Sequence, residues 1–414
     1  MSLRWLQTGA GLAAAVALAV LLAGDAGRRA GAGPPAGEVR LGVDVLAERD
    51  FAPLRGKRVG LITNQSGRTG DGRRTIDVLA EAEGVELVAL FAPEHGLEGK
   101  VEMEGAVGDA VDARTGLRVF SLYGDTRRPT PEMLEGLDVL VFDIQGAGVR
   151  YYTYMTTMAY AMEEAAKRGI EFVVLDRPNP LNGAGVHGPL LDPERLSFEG
   201  YFPLPLRHGM TLGELARLFN AENQIGVRLT VVPMKNWRRG LWFDQTGLPW
   251  INPSPNLRSL EANTVYPAVE LLRAGEVSVG RGTETPFLLF GAPWIESEEL
   301  ARYLEARQIP GIRFEPVEFT PSEDAHAGQR CHGVRLTLTD RNQLDVGRLG
   351  VELLSALWRL YPEEFKLDKT IRLVGSKRTI ERIRAGDDPV EIVAGWEEEL
   401  EAFRRLRLPY LLYK

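Results

Sequence analysis

The sequence is poor in the residues that covalent cross-links and metal sites require. It has one cysteine, Cys331, and five histidines among 414 residues. A single cysteine cannot form an intramolecular disulfide, so the fold must depend on its hydrophobic core. The histidines show no His-Glu-x-x-His or comparable ligand spacing. We therefore expect no bound metal.

Motifs of the common nucleotide and hydrolase chemistries are also missing. No Gly-x-Gly-x-x-Gly follows the first predicted strand, and the chain has neither a Gly-x-x-x-x-Gly-Lys-Ser/Thr loop nor a Gly-x-Ser-x-Gly turn. These absences argue against hydride transfer, phosphoryl transfer and ordinary serine hydrolysis. The net charge is −8 without a concentrated basic stripe. That balance argues against nucleic acid or an anionic membrane surface as the main partner.

The first 37 residues have the layout of an export signal followed by a linker. Their mostly small and apolar run, 12–23, is shorter than the ~20 residues that a membrane-spanning helix needs, and small residues follow it. We expect an exported protein, periplasmic or extracellular. An uncleaved N-terminal membrane anchor is the alternative. No cysteine follows the apolar run, which excludes a bacterial lipid anchor.

Beyond the linker, strand and helix patterns alternate. Continuous apolar runs predict strands buried on both faces of a parallel sheet, at 58–64, 86–91, 139–144 and 172–176, with a further strand at 228–232. Helical spacing predicts the intervening helices, at 75–83, 154–168 and 211–220. After a segment rich in Pro, Asn and Ser, 249–259, the pattern predicts a strand at 334–338 and helices at 300–307, 344–361 and 390–405.

These patterns predict an α/β protein with two domains. We place the signal peptide and linker at 1–37, a Rossmann-like domain with a parallel sheet at 38–258, and a smaller α/β C-terminal domain at 259–414. The site should lie where ligands of open parallel sheets bind, beyond the carboxyl ends of the strands.

Carboxylates follow several predicted strands. Glu94 stands in Pro93-Glu94-His95-Gly96, and Asp143 and Asp176 end two further apolar runs. Glycoside hydrolysis uses a protonated carboxylic acid and a second carboxylate. We predict Glu94 as the acid and Asp143 as the next-best carboxylate, although an aspartate at a strand end often caps the next helix or turn. His95 and His208 are predicted to act in acid/base or polar contacts.

The residues that surround these strand ends suit an acidic sugar. Aromatic side chains can stack on sugar rings, and arginines can hold a carboxylate through paired hydrogen bonds. The arginines in question are Arg150, Arg177 and Arg281.

Motifs spread over nearly the whole mature chain resemble the NamZ family of exo-β-N-acetylmuramidases. The motifs are Pro93-Glu-His-Gly96, Phe142-Asp-Ile-Gln145, Asp176-Arg-Pro-Asn-Pro180, Arg207-His-Gly-Met-Thr211, Pro253-Ser-Pro-Asn256 and Gly280-Arg-Gly-Thr283. The resemblance implies an active site in a cleft between the two domains and removal of N-acetylmuramic acid from non-reducing ends of peptidoglycan fragments, without a cofactor. It also matches Glu94 to the family's candidate catalytic acid.

The predicted function is therefore an exo-acting glycosidase of cell-wall turnover, with muramyl saccharides as partners. Residues predicted to position the sugar are Asn64, Gln65, Tyr123, Gln145, Arg150, Tyr154, Arg177, Asn179, His208, Asn256 and Arg281. Three departures from the family pattern, Gly146, Glu276 and Leu288, stand where we expect other residues. They leave open a non-catalytic muropeptide-binding protein or a hydrolase of a different amino sugar.

Overall fold

The computed structural model describes residues 38–100 and 110–414, so the predicted signal peptide and linker lie outside the described residues. The strands are β1 (Lys57–Thr63), β2 (Val85–Ala92), β3 (Ala110–Val111), β4 (Arg118–Ser121), β5 (Val139–Asp143), β6 (Glu171–Leu175), β7 (His187–Leu190), β8 (Pro205–Arg207), β9 (Leu229–Val232), β10 (Leu289–Ala292), β11 (Ile312–Phe319) and β12 (Cys331–Leu338). The helices are α1 (Gly42–Glu48), α2 (Thr75–Ala80), α3 (Tyr154–Lys167), α4 (Leu212–Glu222), α5 (Leu260–Arg273), α6 (Ser297–Ala306), α7 (Val346–Leu360), α8 (Leu367–Val374), α9 (Lys377–Ala385), α10 (Pro389–Ala394) and α11 (Glu397–Arg407).

The largest sheet has seven strands in the order β3-β4-β2-β1-β5-β6-β9. All neighbours pair in parallel except the short β3, which is antiparallel to β4. The chain leaves β1 toward β2 on one side and later returns to β5 on the other. The carboxyl ends of β1 and β5 are therefore adjacent, and Thr63 is paired with Asp143.

Side chains of the central strands alternate between two hydrophobic clusters. On β5, Leu140 and Phe142 belong to the cluster that contains α3 and α4, whereas Val139 and Val141 belong to the cluster that contains α1 and α2. Because helices cover both faces, β5 is buried at every position. A strand in this situation needs a continuous apolar run. The predicted α/β fold with a parallel sheet is confirmed.

The remaining elements form a smaller layer around the antiparallel sheet β10-β12-β11. Helix α5 packs against α7. The cluster that covers one face of the large sheet continues into this layer, where it includes Leu257, Val265 and Val334. The domain boundary at 258 stays a prediction.

One predicted helix is wrong. The pattern of 390–405 predicts a single helix, but α10 ends at Ala394 and α11 begins at Glu397. Gly395 is a weak helix former, and the acidic residues at 397–399 favour a new helix N-terminus there. The buried Trp396 donates from Nε1 to Thr379 Oγ1 at 3.1 Å, which fixes the break. The other predicted elements are present, with ends shifted by at most three residues.

A tyrosine near the C-terminus binds just beyond the carboxyl ends of β6 and β9. The Tyr413 hydroxyl donates to Asp176 Oδ2 at 2.5 Å and accepts from the Met234 backbone N–H at 3.0 Å. Asp176 also accepts from Thr211 Oγ1 at 2.7 Å and from the Gly213 N–H at 2.9 Å. Burial raises the pKa of Asp176 to about 6. Asp176 is thus a structural link between β6, the start of α4 and the C-terminal segment.

Arg150 joins the hairpin β7-β8 to helix α8. Its Nη1 donates to the carbonyls of Pro189 and Leu204 at 2.8 and 3.0 Å, and its Nη2 donates to those of Leu373 and Val374 at 2.7 and 2.8 Å. Burial lowers the pKa of Arg150 to about 10, so the guanidinium keeps its charge at neutral pH. The terminal carbonyls of a helix are a favourable place for a cation.

Gly375 lets the guanidinium approach the end of α8. Its φ is +72°, and a Cβ at this position would lie 2.8 Å from Arg150 Nη2. The left-handed conformation also ends the helix, as glycine commonly does. Any other residue here would push Arg150 away from its carbonyl partners.

We predict that Arg150→Met lowers the free energy of unfolding by about 3–5 kcal/mol, because four buried carbonyls lose a charged donor. Arg405→Met, at an exposed position of α11, should change it by less than about 0.5 kcal/mol. Urea unfolding followed by circular dichroism measures both. Equal stability of the two variants would contradict the structural role of Arg150.

Candidate active site

An open cleft of about 770 Å³ lies beside the carboxyl end of β2. Its wall is built by the loop after β2, the start of α3, the end of α5 and helix α8. Charged side chains that line it are Glu94, Arg127, Glu199, Glu270, Arg273, Glu276, Arg281, Asp324, Lys369 and Arg372.

Glu94 is held in this cleft by two neighbours from the start of α3. Thr153 Oγ1 donates to Glu94 Oε2 at 2.6 Å. The Tyr154 hydroxyl lies 3.3 Å from the Glu94 carbonyl oxygen and donates to the Pro253 carbonyl at 3.1 Å. Glu94 itself is half-buried. One carboxylate oxygen is thus oriented by a hydroxyl, while the side chain stays accessible from the cleft.

The loop that carries Glu94 is conformationally restricted. His95 has a φ of +72° and Gly96 one of +73°. A histidine in the left-handed region costs on the order of 1 kcal/mol or more, and persists only where the surroundings fix the backbone. His95 lines the cleft beside Glu94. The loop therefore presents both side chains in a defined orientation.

Asp143 does not line the cleft. It is fully buried, and Arg177 donates from Nε to its Oδ1 at 2.6 Å and from Nη2 to its Oδ2 at 2.9 Å. The Thr75 hydroxyl donates to the same Oδ2. A bidentate arginine and a hydroxyl satisfy this carboxylate inside the protein. Its placement favours a structural role over that of the second carboxylate.

The structure brings only some of the predicted sugar-binding residues to the cleft. Tyr123 and Arg281 line it together with Glu94 and His95. The predicted residues that do not line it are Asn64, Gln65, Gln145, Arg150, Tyr154, Arg177, Asn179, His208 and Asn256.

Three of these residues hold loops over the strand ends instead. Gln65 Nε2 donates to the Asn252 carbonyl at 2.8 Å, Gln145 Nε2 to the Pro178 carbonyl at 2.8 Å, and Asn179 Nδ2 to the Met210 carbonyl at 2.9 Å. The segment that contains Asn252 and Pro253 therefore covers the strand ends. The open cleft lies to one side, next to β2.

His208 lines a small pocket of about 20 Å³, which Gly146 also lines. Its Nδ1 accepts from the Met210 N–H at 3.2 Å. Burial, followed by the charges of Arg407 and Arg207, lowers the pKa of His208 to about 3. The imidazole is thus neutral near pH 7, which does not suit the predicted acid/base role.

The other two departures from the family pattern, Glu276 and Leu288, differ in whether they line the cleft. Glu276 lines the cleft and pairs with Lys369 on α8. Leu288 packs half-buried against the core and does not line the cleft.

Sequence reasoning missed Glu270, Arg273, Lys369 and Arg372. The sequence carried a signal for Glu270, because this charged residue interrupts the apolar run Ala268-Val-Glu-Leu-Leu272. In the structure Glu270 is 4% exposed. Lys369 and Arg372 had none, since they look like ordinary surface cations of a short helix.

In residues 38–100 and 110–414, no three or more His, Cys, Asp or Glu side chains converge as a metal site. A helix long and apolar enough to cross a membrane is likewise not found in these ranges.

We predict that His208→Asn makes the protein less sensitive to acid. The pKa of His208 in the folded protein lies below the ordinary histidine value. The contribution of neutral His208 to the free energy of unfolding is therefore complete above about pH 6.5 and is lost as the pH falls toward 3. From pH 7 to 5 this loss is about 2 kcal/mol. Asparagine keeps an acceptor for Met210 but binds no proton. Urea unfolding at both pH values should show a drop about 2 kcal/mol smaller in the variant; equal drops would contradict a neutral His208.

Comparisons with known proteins agree with this architecture. The family model described as exo-β-N-acetylmuramidase NamZ, N-terminal, matches residues 59–261, and the corresponding C-terminal model matches residues 264–413. The chain is 45% identical over 379 residues to peptidoglycan β-N-acetylmuramidase NamZ of Bacillus subtilis (strain 168), which covers 91% of this chain and 92% of the relative.

Two crystal structures of DUF1343 family proteins from Bacteroides fragilis NCTC 9343 are also similar. One is 39% identical with a TM-score of 0.84, and the other is 31% identical with a TM-score of 0.75. Each match covers 91% of this chain and 99% of the solved chain. Since two family models together span most of the described residues, the chain belongs to the NamZ family of exo-β-N-acetylmuramidases.

Proposed function

We propose that this protein is an exo-acting glycosidase that releases N-acetylmuramic acid from the non-reducing ends of peptidoglycan fragments. The family and the similarity to a peptidoglycan β-N-acetylmuramidase support the reaction and the substrate class. The observation that carries the proposal is the position of Glu94, half-buried at the wall of an open cleft and oriented by the Thr153 hydroxyl.

Glu94 acts as the general acid in this proposal. The bond between the anomeric carbon and the leaving oxygen breaks with its electron pair on that oxygen, which takes the proton of Glu94. Water supplies the hydroxyl group that the anomeric carbon gains, and its remaining proton restores Glu94 through solvent. Donation from Thr153 to Oε2 leaves Oε1 as the oxygen that carries the proton toward the substrate.

The cleft also suits the acidic character of the sugar. Muramic acid differs from glucosamine by a lactyl ether that ends in a carboxylate. Five cationic side chains line the cleft: Arg127, Arg273, Arg281, Lys369 and Arg372. Arginine and lysine side chains bind carboxylates through charge-assisted hydrogen bonds. The cleft can therefore recognise the group that distinguishes the two amino sugars.

We also propose that the protein is exported, since peptidoglycan lies outside the cytoplasmic membrane. The layout of residues 1–37, with a short apolar run followed by small residues, supports this location.

We predict that Glu94→Gln lowers kcat for the disaccharide N-acetylmuramyl-β-1,4-N-acetylglucosamine by about 10²–10⁴-fold. The loss should be smaller for nitrophenyl β-N-acetylmuramide, because nitrophenolate leaves without a proton. The nitrophenyl β-N-acetylglucosaminide tests the sugar preference.

Glu98→Gln is the matched control, because Glu98 is exposed in the same loop and does not line the cleft. It should keep the rate of the unchanged protein. A folded Glu94→Gln protein with full activity on the disaccharide would remove Glu94 from the mechanism. Saturable binding without turnover by the unchanged protein would instead favour a muropeptide-binding protein.

A second prediction concerns the hydroxyl that orients Glu94. Thr153→Val should lower kcat about tenfold with little change in KM, since a hydrogen bond to an ionisable group is worth about 1.5 kcal/mol. Thr153→Ser keeps the hydroxyl and should retain most of the rate. Equal kinetics of the valine and serine variants would show that the 2.6 Å contact does not matter for catalysis.

A further inference from the structure

Arg281 lies in the wall of the cleft with part of its guanidinium uncommitted. Its side chain is 25% exposed, Nη2 donates to Glu270 Oε1 at 3.2 Å, and Nε lies 3.6 Å from Asp324 Oδ2. Among the described residues, the Arg281 side chain makes no other hydrogen bond, and its Nε is a buried atom. A guanidinium has five N–H donors in a planar fork. Arg281 can therefore still bind a planar oxyanion from the cleft.

The backbone around Arg281 fixes where the side chain starts. Gly280 and Gly282 have φ values of +76° and +74°. A Cβ on Gly282 would lie 2.5 Å from the Glu323 backbone nitrogen, so the turn is packed closely against a neighbouring loop. The rigid turn restricts the directions in which Arg281 can point.

Glu270 restricts the guanidinium itself. This residue is 4% exposed near the end of α5, and its Oε1 also lies 3.5 Å from Arg273 Nη1. Its other oxygen, Oε2, is buried without a hydrogen-bond partner among the described residues. A buried carboxylate on a packed helix is a stable anchor for a neighbouring arginine. Burial raises the pKa of Glu270, whereas Arg281 and Arg273 lower it.

The net charge of the side chains that line the cleft can be balanced by one further anion. The cations number five, while the acids other than Glu94 number four: Glu199, Glu270, Glu276 and Asp324. With Glu94 in its protonated form, the lining carries one positive charge in excess. A substrate with a single carboxylate balances it.

The other two arginines predicted for carboxylate binding are committed elsewhere. Arg150 donates to four backbone carbonyls, and Arg177 donates to Asp143 and to the Arg68 carbonyl. Neither lines the cleft.

We propose that Arg281 binds the lactyl carboxylate of the substrate, and that Glu270 is its positioning residue. Together they set the preference for a muramyl over an uncharged amino sugar. This inference rests on the proposed function, because it assigns the carboxylate of that substrate to a particular side chain.

The test compares N-acetylmuramic acid with its methyl ester, which has nearly the same shape but no charge. The readouts are kcat/KM for the nitrophenyl β-glycosides of both, and calorimetric Kd values for the two free sugars. The unchanged protein should prefer the acid by about 10- to 100-fold, the range expected for a hydrogen-bonded charge pair. Arg281→Met should remove the preference, whereas Arg281→Lys should keep part of it.

Glu270→Gln tests the positioning role. It should reduce the acid-to-ester preference several-fold through KM, with kcat nearly unchanged, because glutamine holds Arg281 without a charge. A purely structural defect would affect acid and ester equally, which would overturn this role.

Lys366→Met is the charge control, since Lys366 is an exposed cation just before α8 that does not line the cleft. Its acid-to-ester preference should stay as in the unchanged protein. An equal loss in Lys366→Met and Arg281→Met would assign the preference to overall charge and overturn the proposal. Turnover of both glycosides without any preference would also overturn it, while leaving the proposed function intact. Absence of turnover would count against the proposed function, and the calorimetric preference would still decide the role of Arg281.

Discussion

The contact that the rest of the structure depends on is the one between the Arg150 guanidinium and four backbone carbonyls. Two of these carbonyls belong to the region of the β7-β8 hairpin, and two end helix α8. The same helix carries Lys369 and Arg372 into the cleft. A charge without a carboxylate partner is tolerated in the interior because every nearby oxygen is already oriented toward it. Arg150 therefore holds in place the helix that forms one wall of the cleft, although Arg150 itself does not line the cleft.

The parallel sheet could be predicted from the sequence because its physical requirement is local. A strand that is covered on both faces must be apolar where it is buried, and the runs 59–62, 139–142 and 172–175 of β1, β5 and β6 show this directly. Helix α5 was not predicted, since it follows a proline-rich segment and contains Pro267 in its interior. Its helical conformation depends on packing against α7, which sequence patterns do not reveal.

The candidate site was predictable at Glu94 and His95 and less so elsewhere. The rule that ligands bind beyond strand ends assumes that those ends are open. Here the segment 249–259 lies over them, and Gln65 and Tyr154 bind its carbonyls. The polar residues of the strand ends are consequently used to hold loops. Part of the charged wall of the cleft comes from α5 and α8, which meet the Glu94 loop only in the folded protein.

The link between Tyr413 and Asp176 has a kinetic consequence. The two residues are 237 positions apart in sequence. Until they meet, the buried Asp176 lacks one of its donors, and the C-terminal segment is not yet attached beyond the ends of β6 and β9. Contacts of such high sequence separation form slowly, because a long loop must be ordered before they can contribute. The C-terminal segment should therefore take its place late in folding, after the parallel sheet has formed.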